Sequence, residues 1–196
     1  MRSLVIAFAM LAAPAVHAQE WDLYGGFRAG VLSGGYRDEF NLNIDYQGGS
    51  YGAFGGAKAQ LFGPLWLGAE LDFVGYSAAE RQKQFGTDTS ILWKGSALST
   101  ASFEVGPIAP FVAAGLSLAA QRVQPNGPGF GTDTQNHFGI SAAVGIDISL
   151  IGGVFARVKA STTQYISQAT YNLGAGTFSA TMAPTNEISV GAGFRF

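Results

Sequence analysis

The sequence predicts an all-β fold, an eight-stranded antiparallel up-and-down transmembrane β-barrel that occupies residues 19–196. Eight segments alternate apolar residues with polar or small ones, which is the two-residue period of a β-strand. No amphipathic segment with a sustained helical period follows residue 18, although 47% of the residues are hydrophobic. Short and long connections alternate between the segments, and this asymmetry is typical of barrels that cross an outer membrane.

The alternating segments are 20–32, 50–62, 65–77, 90–105, 108–121, 135–149, 154–165 and 186–196. The third is the clearest, because Leu67, Leu71 and Phe73 share one face of the predicted strand. Glu70 and Asp72 share the other face. The charged residues generally lie with glycine and serine, opposite an almost uncharged face. This pattern favours a barrel in lipid over a soluble, lipocalin-like barrel, whose interior would be apolar.

The connections predict which end of the barrel faces which compartment. Three are short and carry glycine or proline as turn residues, at 63–64, 106–107 and 151–153. Four are long and polar, at 33–49, 78–89, 122–134 and 166–185. Short periplasmic turns and long extracellular loops are the pattern of the bacterial outer membrane, and an even number of strands places both termini in the periplasm.

Aromatic residues are expected at the two membrane interfaces, where their rings meet the lipid head groups. Near the short connections lie Trp21, Phe62, Trp66, Phe103 and Phe196. Near the long connections lie Tyr51, Tyr76, Trp93, Phe138 and Tyr165. The sequence therefore predicts two aromatic girdles around the barrel.

The first residues have the layout of a secretory signal peptide. Arg2 is followed by an apolar run at 4–13, and small residues around Ala18 mark a cleavage site. The run is too short for a spanning helix, which needs about 20 apolar residues. We expect cleavage after Ala18 and export of residues 19–196.

Composition excludes several classes of function. Without Arg2 the chain keeps 10 basic and 13 acidic residues, so it lacks the basic surface that a nucleic-acid partner requires. It has no cysteine, and therefore no disulfide and no thiol chemistry. Asp38, Glu39 and Asp45 in the first long connection could hold a hard cation or bridge divalent ions to lipopolysaccharide, but solvated charge is the preferred interpretation. We predict no metal site and no cofactor.

The last segment alternates apolar and small or polar residues up to an aromatic carboxyl terminus. Its Gly191, Phe194 and Phe196 resemble the C-terminal assembly signal of bacterial outer-membrane proteins, which implies recognition by the barrel-assembly machinery. The whole architecture resembles the small eight-stranded outer-membrane barrels of the OmpA/OmpX and opacity-protein type. That resemblance implies roles in envelope integrity, adhesion, host-surface contact or limited permeability, and contact with outer-membrane lipid and lipopolysaccharide.

Charged residues of both signs fall on the inward face of the predicted strands. They are Asp22, Arg28, Lys58, Glu70, Asp72, Lys94, Glu104, Asp147, Arg157, Lys159, Glu187 and Arg195. The predicted pairs are Lys58 with Glu70, Asp147 with Arg157, Glu187 with Arg28, and Arg195 with Glu20 or Asp22. Eight strands enclose a space just wide enough for side chains, and an unpaired buried charge is costly, so these charges should pair and plug the lumen. A static polar core is preferred over a gate that opens when pairs exchange.

Three functions remain open. A non-enzymatic surface or envelope protein, with its long loops as the contact surface for an extracellular partner, is preferred over a narrow porin-like channel. A lipid-modifying enzyme is a distant third. It is considered because lipid A deacylase barrels use a histidine with a nearby serine and a carboxylate. His137 and Ser141 are the pair to test, but four strand residues separate them by about 13 Å, beyond hydrogen-bond reach. We therefore predict no catalytic residues.

Overall fold

The computed structural model describes residues 21–38, 43–77, 79–82, 87–125, 129, 131–174 and 176–196. The predicted signal peptide and Glu20 lie outside these residues. The strands are β1 Trp21–Asp38, β2 Asn43–Phe62, β3 Leu65–Tyr76, β4 Ala79–Gln82, β5 Thr87–Phe103, β6 Ile108–Pro125, β7 Asp133–Ser149, β8 Val154–Tyr165, β9 Gln168–Asn172 and β10 Thr177–Arg195. In the described part of the chain, no helix is long and apolar enough to span a membrane.

All neighbouring strands pair antiparallel in one closed sheet. The order is β1-β2-β3-β5-β6-β7-β8-β10, and β10 pairs back onto β1. Short β4 pairs with β5 beyond the end of β3, and short β9 pairs with β10 beyond the end of β8. The wall therefore consists of eight strands, two of them interrupted, which confirms the predicted fold class. Closure matters because backbone groups have no water to bond inside a bilayer.

Three glycine-containing turns join strands at one end of the barrel, which we call the turn end. Gly63, Gly106 and Gly152 have φ angles of 52°, 60° and 68° there. This left-handed region is sterically open to glycine and strained for most other residues. The three predicted short turns are thus confirmed, and the strands of the opposite end, the hairpin end, are joined by the longer connections.

The predicted long loops are wrong over much of their length, because the strands continue into them. Pairing of β1 with β2 extends from Ser33 opposite Gln47 up to Arg37 opposite Asn43. Pairing of β5 with β6 likewise reaches Thr87 opposite Pro125. Beyond an apolar band both faces of a hairpin can be polar, so the alternation of hydrophobicity ends while the backbone ladder goes on.

Side chains alternate between an apolar outer face and a polar interior. Phe27, Leu71 and Val190 are 77%, 68% and 61% exposed on the outside, as the strand period predicts. Leaving such residues exposed in water would be unusual for a monomeric protein, whereas lipid accepts them. The outer wall therefore carries the hydrophobic band of a membrane barrel.

The two predicted aromatic girdles are only partly present. Phe62, Phe103 and Phe196 are exposed at the turn end, and Tyr51 is exposed towards the hairpin end. Three of the predicted members are instead buried in the interior: Trp66, Tyr76 and Tyr165. Their strand parity places them on the inward face, which position along the strand alone does not reveal.

The outer face can be tested by its tolerance of charge at two depths. Leu71→Arg should lower the free energy of unfolding by about 2–4 kcal/mol, because Leu71 lies midway along β3 and faces lipid. Thr134→Arg, exposed at the hairpin end of β7, should cost only about 0–1 kcal/mol. Reversible urea titrations in lipid vesicles measure both, and equal losses would show that Leu71 does not face the membrane core.

Candidate functional site

The two-residue period of the strands places the charged residues on the inward face of the barrel. Glu70 and Asp72 on β3, and Arg157 and Lys159 on β8, are each two residues apart and therefore share the inward face. All four are buried, and Glu70 is only 1% exposed. The barrel thus places two carboxylates opposite two cations across its lumen.

At the centre of the lumen these groups form a compact set of ion pairs. Lys159 Nζ lies 3.0 Å from Glu70 Oε1 and 2.7 Å from Asp72 Oδ2. Arg157 Nη1 donates to Glu70 Oε2 at 2.5 Å. Its Nε and Nη2 donate to the two oxygens of Asp147 at 2.7 and 2.9 Å. Such a two-pronged Arg–carboxylate pair fixes orientation as well as charge.

The network continues towards the hairpin end through Arg28. Its Nε donates to Asp72 at 2.9 Å, and its Nη1 donates to Glu187 Oε1 at 2.9 Å. Glu187 also accepts from Ser50 at 2.7 Å and lies 3.3 Å from Lys94 Nζ. Each buried carboxylate here has at least two protein donors, which compensate its charge.

Towards the turn end the network continues through Arg195. Its guanidinium nitrogens lie 3.9 Å from Asp147, 3.8 Å from Asp22 and 3.5 Å from Glu104. Lys58 lies 3.3 Å from Asp22 and also pairs with Glu104. This end is less buried than the centre, with side-chain exposures of 8–24%.

The twelve inward charges predicted from the sequence thus join one connected network. It contains six cations and six anions, so its formal charge is zero. The pairs of Asp147 with Arg157 and of Glu187 with Arg28 lie in contact as the hairpin folding and barrel closure predict. The central pairs of the network join β3 and β8, which lie on opposite walls of the barrel, across the lumen.

One predicted pair is wrong. The register places Lys58 opposite Gly68, and Glu70 opposite Gly56, so Lys58 pairs with Asp22 and Glu104 instead. The predicted partner is two residues from the observed one: a bulge at residue 61, between the Gln60–Trp66 and Phe62–Leu65 pairs, accounts for one residue, and the position of the turn, which places Phe62 opposite Leu65, accounts for the other. Arg195 pairs with Asp22, while its alternative partner Glu20 lies outside the described residues.

An aromatic cage around Arg157 is a feature that the sequence interpretation missed. Its guanidinium carbon lies 4.3 Å from the ring centre of Phe54 and 4.6 Å from that of Phe111. The rings of Tyr24 and Phe155 follow at 5.4 and 5.5 Å. Ring faces attract a desolvated cation, so the cage stabilises the buried guanidinium of Arg157. The signal was present, since Phe54 breaks the run of small residues on its strand.

An apolar layer lies in the interior, next to the charges on the hairpin side. This cluster consists of Leu32, Val74, Tyr76, Ile91, Ala119, Tyr165 and Met182. A second buried cluster lies among the strands of the hairpin end: Val123, Ala169, Tyr171, Leu173 and Ala180. Together with the aromatic cage, the clusters place apolar packing on both sides of the central ion pairs.

A row of buried hydroxyl groups crosses four strands. Ser117 Oγ lies 2.7 Å from Ser96 Oγ and 2.5 Å from Ser141 Oγ, and Ser141 lies 2.6 Å from Thr163 Oγ1. Thr163 Oγ1 lies 3.4 Å from Lys94 Nζ, so the row joins the ionic network. Ser141 is therefore a member of a structural hydroxyl chain.

His137 is fully buried and belongs to a different set of contacts. Its Nε2 lies 2.6 Å from the hydroxyl of Tyr171, which donates to Gln121 Oε1 at 3.0 Å. Ser141 instead bonds to its hydroxyl neighbours on the adjoining strands. The structure thus gives the histidine and the serine separate partners, and no nucleophile–base pair results from them.

The hairpin end is tied together by Asp133, which lies beyond the apolar band at the first residue of β7. Its Oδ2 accepts from the Asn172 backbone N–H at 2.7 Å and from Gln135 Nε2 at 3.0 Å. These bonds, above all the one from Asn172, hold the pKa of the Asp133 carboxyl below its ordinary value. Within the described residues no group of three or more His, Cys, Asp or Glu could hold a metal ion. The side chains of Asp38, Glu39 and Asp45 lie outside the described part.

The three residues of the predicted assembly signal all lie on β10 or directly after it. Phe194 and Phe196 are exposed at the turn end with their ring centres 5.2 Å apart. Gly191 lies between Arg28 of β1 and Arg157 of β8 in the strand register. The two rings therefore present one aromatic patch on the outer wall beside the closing seam.

Loss of one central carboxylate tests whether the network is a connected, desolvated unit. Glu70→Gln should lower the free energy of unfolding by about 3–5 kcal/mol, because Arg157 and Lys159 lose a buried partner. Asp22→Asn is the matched control at the more accessible turn end and should cost about 0–1 kcal/mol. Urea titrations in vesicles measure both variants, and equal losses would contradict a desolvated centre.

The sequence model of one protein family, described as "Outer membrane protein beta-barrel domain", matches residues 3–196. Among solved structures, the barrel is similar to neisserial surface protein A, with a TM-score of 0.57 and 14% identity over 92% of this chain and 100% of that chain. It is also similar to Ail, the attachment invasion locus protein of Yersinia pestis, with a TM-score of 0.50 and 8% identity over 88% and 98%. The comparison with curated proteins gives no match.

Proposed function

Since the chain belongs to the family of outer-membrane β-barrel proteins, which places it in the bacterial outer membrane, we propose that it is a non-enzymatic surface protein. Its barrel is a closed anchor, and its four hairpins form the contact surface for an extracellular partner. In this proposal the hairpin end faces outwards and both termini face the periplasm, in keeping with the turn and loop pattern of such barrels.

The observation that carries the proposal is the set of buried ion pairs across the lumen. Twelve paired charges occupy the lumen, with the Arg157 cage on one side and the apolar layer around Tyr76 and Tyr165 on the other. Opening a path for solutes would require breaking buried ion pairs, among them those of Glu70 with Arg157 and Lys159. A porin-like channel, the alternative from the sequence, therefore has less support than a closed anchor.

The hairpins support the second half of the proposal. The backbone ladders run beyond the apolar band, to Arg37 opposite Asn43 and to Thr87 opposite Pro125. The bond between Asp133 and Asn172 braces a third hairpin against β7. A paired and braced hairpin presents its tip with less loss of conformational entropy on binding than a free loop does.

An enzymatic role is not proposed, because His137 is 0% exposed and its partners are Tyr171 and Gln121. Ail is named for attachment and invasion, but at 8% identity the likeness shows the fold alone. The remaining partners that we propose are outer-membrane lipid with lipopolysaccharide around the wall, and the barrel-assembly machinery at the patch of Phe194 and Phe196.

The absence of cysteine from the chain allows a sharp test of the orientation. Thr132→Cys, exposed at the hairpin end, should react with a membrane-impermeant maleimide on intact cells. Ile151→Cys, which replaces a 94% exposed turn residue, should react only after the outer membrane is permeabilised. Labelling of Ile151→Cys but not Thr132→Cys on intact cells would invert the barrel and overturn the proposal.

A further inference from the structure

Among the basic side chains that the structure describes, one stands apart from the others. Six of the described cationic side chains lie in the lumen: Arg28, Lys58, Lys94, Arg157, Lys159 and Arg195. Arg122 on β6 is exposed on the outer wall and has no ion pair among the described residues. The described interior cations are all paired with carboxylates, whereas Arg122, on the outer face opposite Thr134, offers a positive charge to a ligand.

A groove in the outer wall lies below Arg122, on the turn side. It has a volume of about 660 Å³, and small residues Gly95 and Ala97 lie along it. Phe73, Trp93 and Phe138 are among its larger lining residues, and the Phe73 and Trp93 rings stack at 5.8 Å. An added Cβ at Gly95 would lie 3.9 Å from its nearest neighbours, so this part of the groove is unfilled.

The strand register fixes the spacing between the cation and the groove. Trp93 lies opposite Ala120, two residues from Arg122 on β6, a rise of about 7 Å. Gly95 lies opposite Leu118, and Leu118 opposite Phe138, one further pair of residues down the wall. The arrangement is amphipathic along the barrel axis, with a guanidinium above, a tryptophan at the boundary and an apolar trough beneath.

We propose that this surface binds lipid A, the phosphorylated and acylated lipid of the outer leaflet. The Arg122 guanidinium would donate to a phosphate oxygen pair, for which its planar fork is suited, while one acyl chain lies in the groove. Trp93 sits where an indole ring meets the head-group region. The assignment of the outer leaflet rests on the orientation proposed above.

A second groove on the opposite wall shows why charge complementarity decides the occupant. It is larger, about 840 Å³, and is lined by Val31, Val144 and Ala160 among others. Its polar lining residues include Ser33, Gln47, Thr162 and Asn186, and no cationic side chain is described there. That groove suits an acyl chain without a phosphate partner. A second copy of the barrel is a poorer occupant of the first groove than a phosphorylated lipid. Wherever that copy presents the uncharged part of its outer wall, Arg122 gains no anionic partner.

Lipid binding to refolded residues 19–196, measured by native mass spectrometry in detergent, tests the proposal. Diphosphoryl lipid A should bind wild type about tenfold more tightly than Arg122→Gln, consistent with loss of a charged phosphate contact. Gly95→Leu, which fills the groove, should weaken binding several-fold. Ala160→Leu, the matched change on the opposite wall, should leave the affinity unchanged. A folded-band shift on unboiled gels confirms that each variant is a barrel.

Two lipid controls separate recognition of the phosphate groups from non-specific hydrophobic binding of lipid. Dephosphorylated lipid A should bind wild type and Arg122→Gln equally and weakly, and phosphatidylglycerol should bind wild type more weakly than diphosphoryl lipid A. Equal affinity of wild type and Arg122→Gln for diphosphoryl lipid A, or of phosphatidylglycerol and lipid A for wild type, would overturn the proposal. Because this assay is independent of orientation, its failure is distinguishable from failure of the cysteine-labelling test.

Discussion

Compensation of buried charge in its interior is the constraint on which this barrel depends. A carboxylate such as Glu70, buried alone, would cost many kcal/mol, and here it lies between Arg157 and Lys159. Each partner is shared in turn, so that six cations and six anions connect seven of the eight wall strands. The same contacts that neutralise the lumen also hold opposite walls of the barrel together.

On the outer wall the constraint is reversed. Contact with lipid is favourable for apolar side chains and unfavourable for backbone N–H and C=O groups without a hydrogen bond. Closure of β10 onto β1 satisfies the second demand, and residues such as Phe27 and Val190 satisfy the first. Polarity on the outer face returns at the hairpin end, where water replaces lipid. The exposed Arg122 lies near this change of surroundings.

Strand parity predicts which charged residues face the interior, but it does not predict all of their partners. A two-residue period places Asp147 and Arg157 on the inward face, and folding about the turn at Gly152 puts them opposite each other. The partner of Lys58 was not predictable, because a bulged residue and the position of the turn each shift the register of this hairpin by one residue. The length of the hairpins was missed for another reason, since alternation of hydrophobicity vanishes wherever both faces of a ladder meet water. The cage around Arg157 depends on packing across the lumen: Phe54 stands out among the small residues of its strand, but its contact with Arg157 does not follow from that local pattern.

Single-channel conductance of refolded residues 19–196 in a planar bilayer tests the central claim, a lumen sealed by paired charge, most directly. A sealed lumen predicts that the wild-type barrel is electrically silent although fully folded. Glu70→Gln and Arg157→Gln, recorded beside it, report whether the ion pairs control the interior. A steady wild-type conductance that either change alters would contradict the account, because the network would then line a pathway instead of closing one.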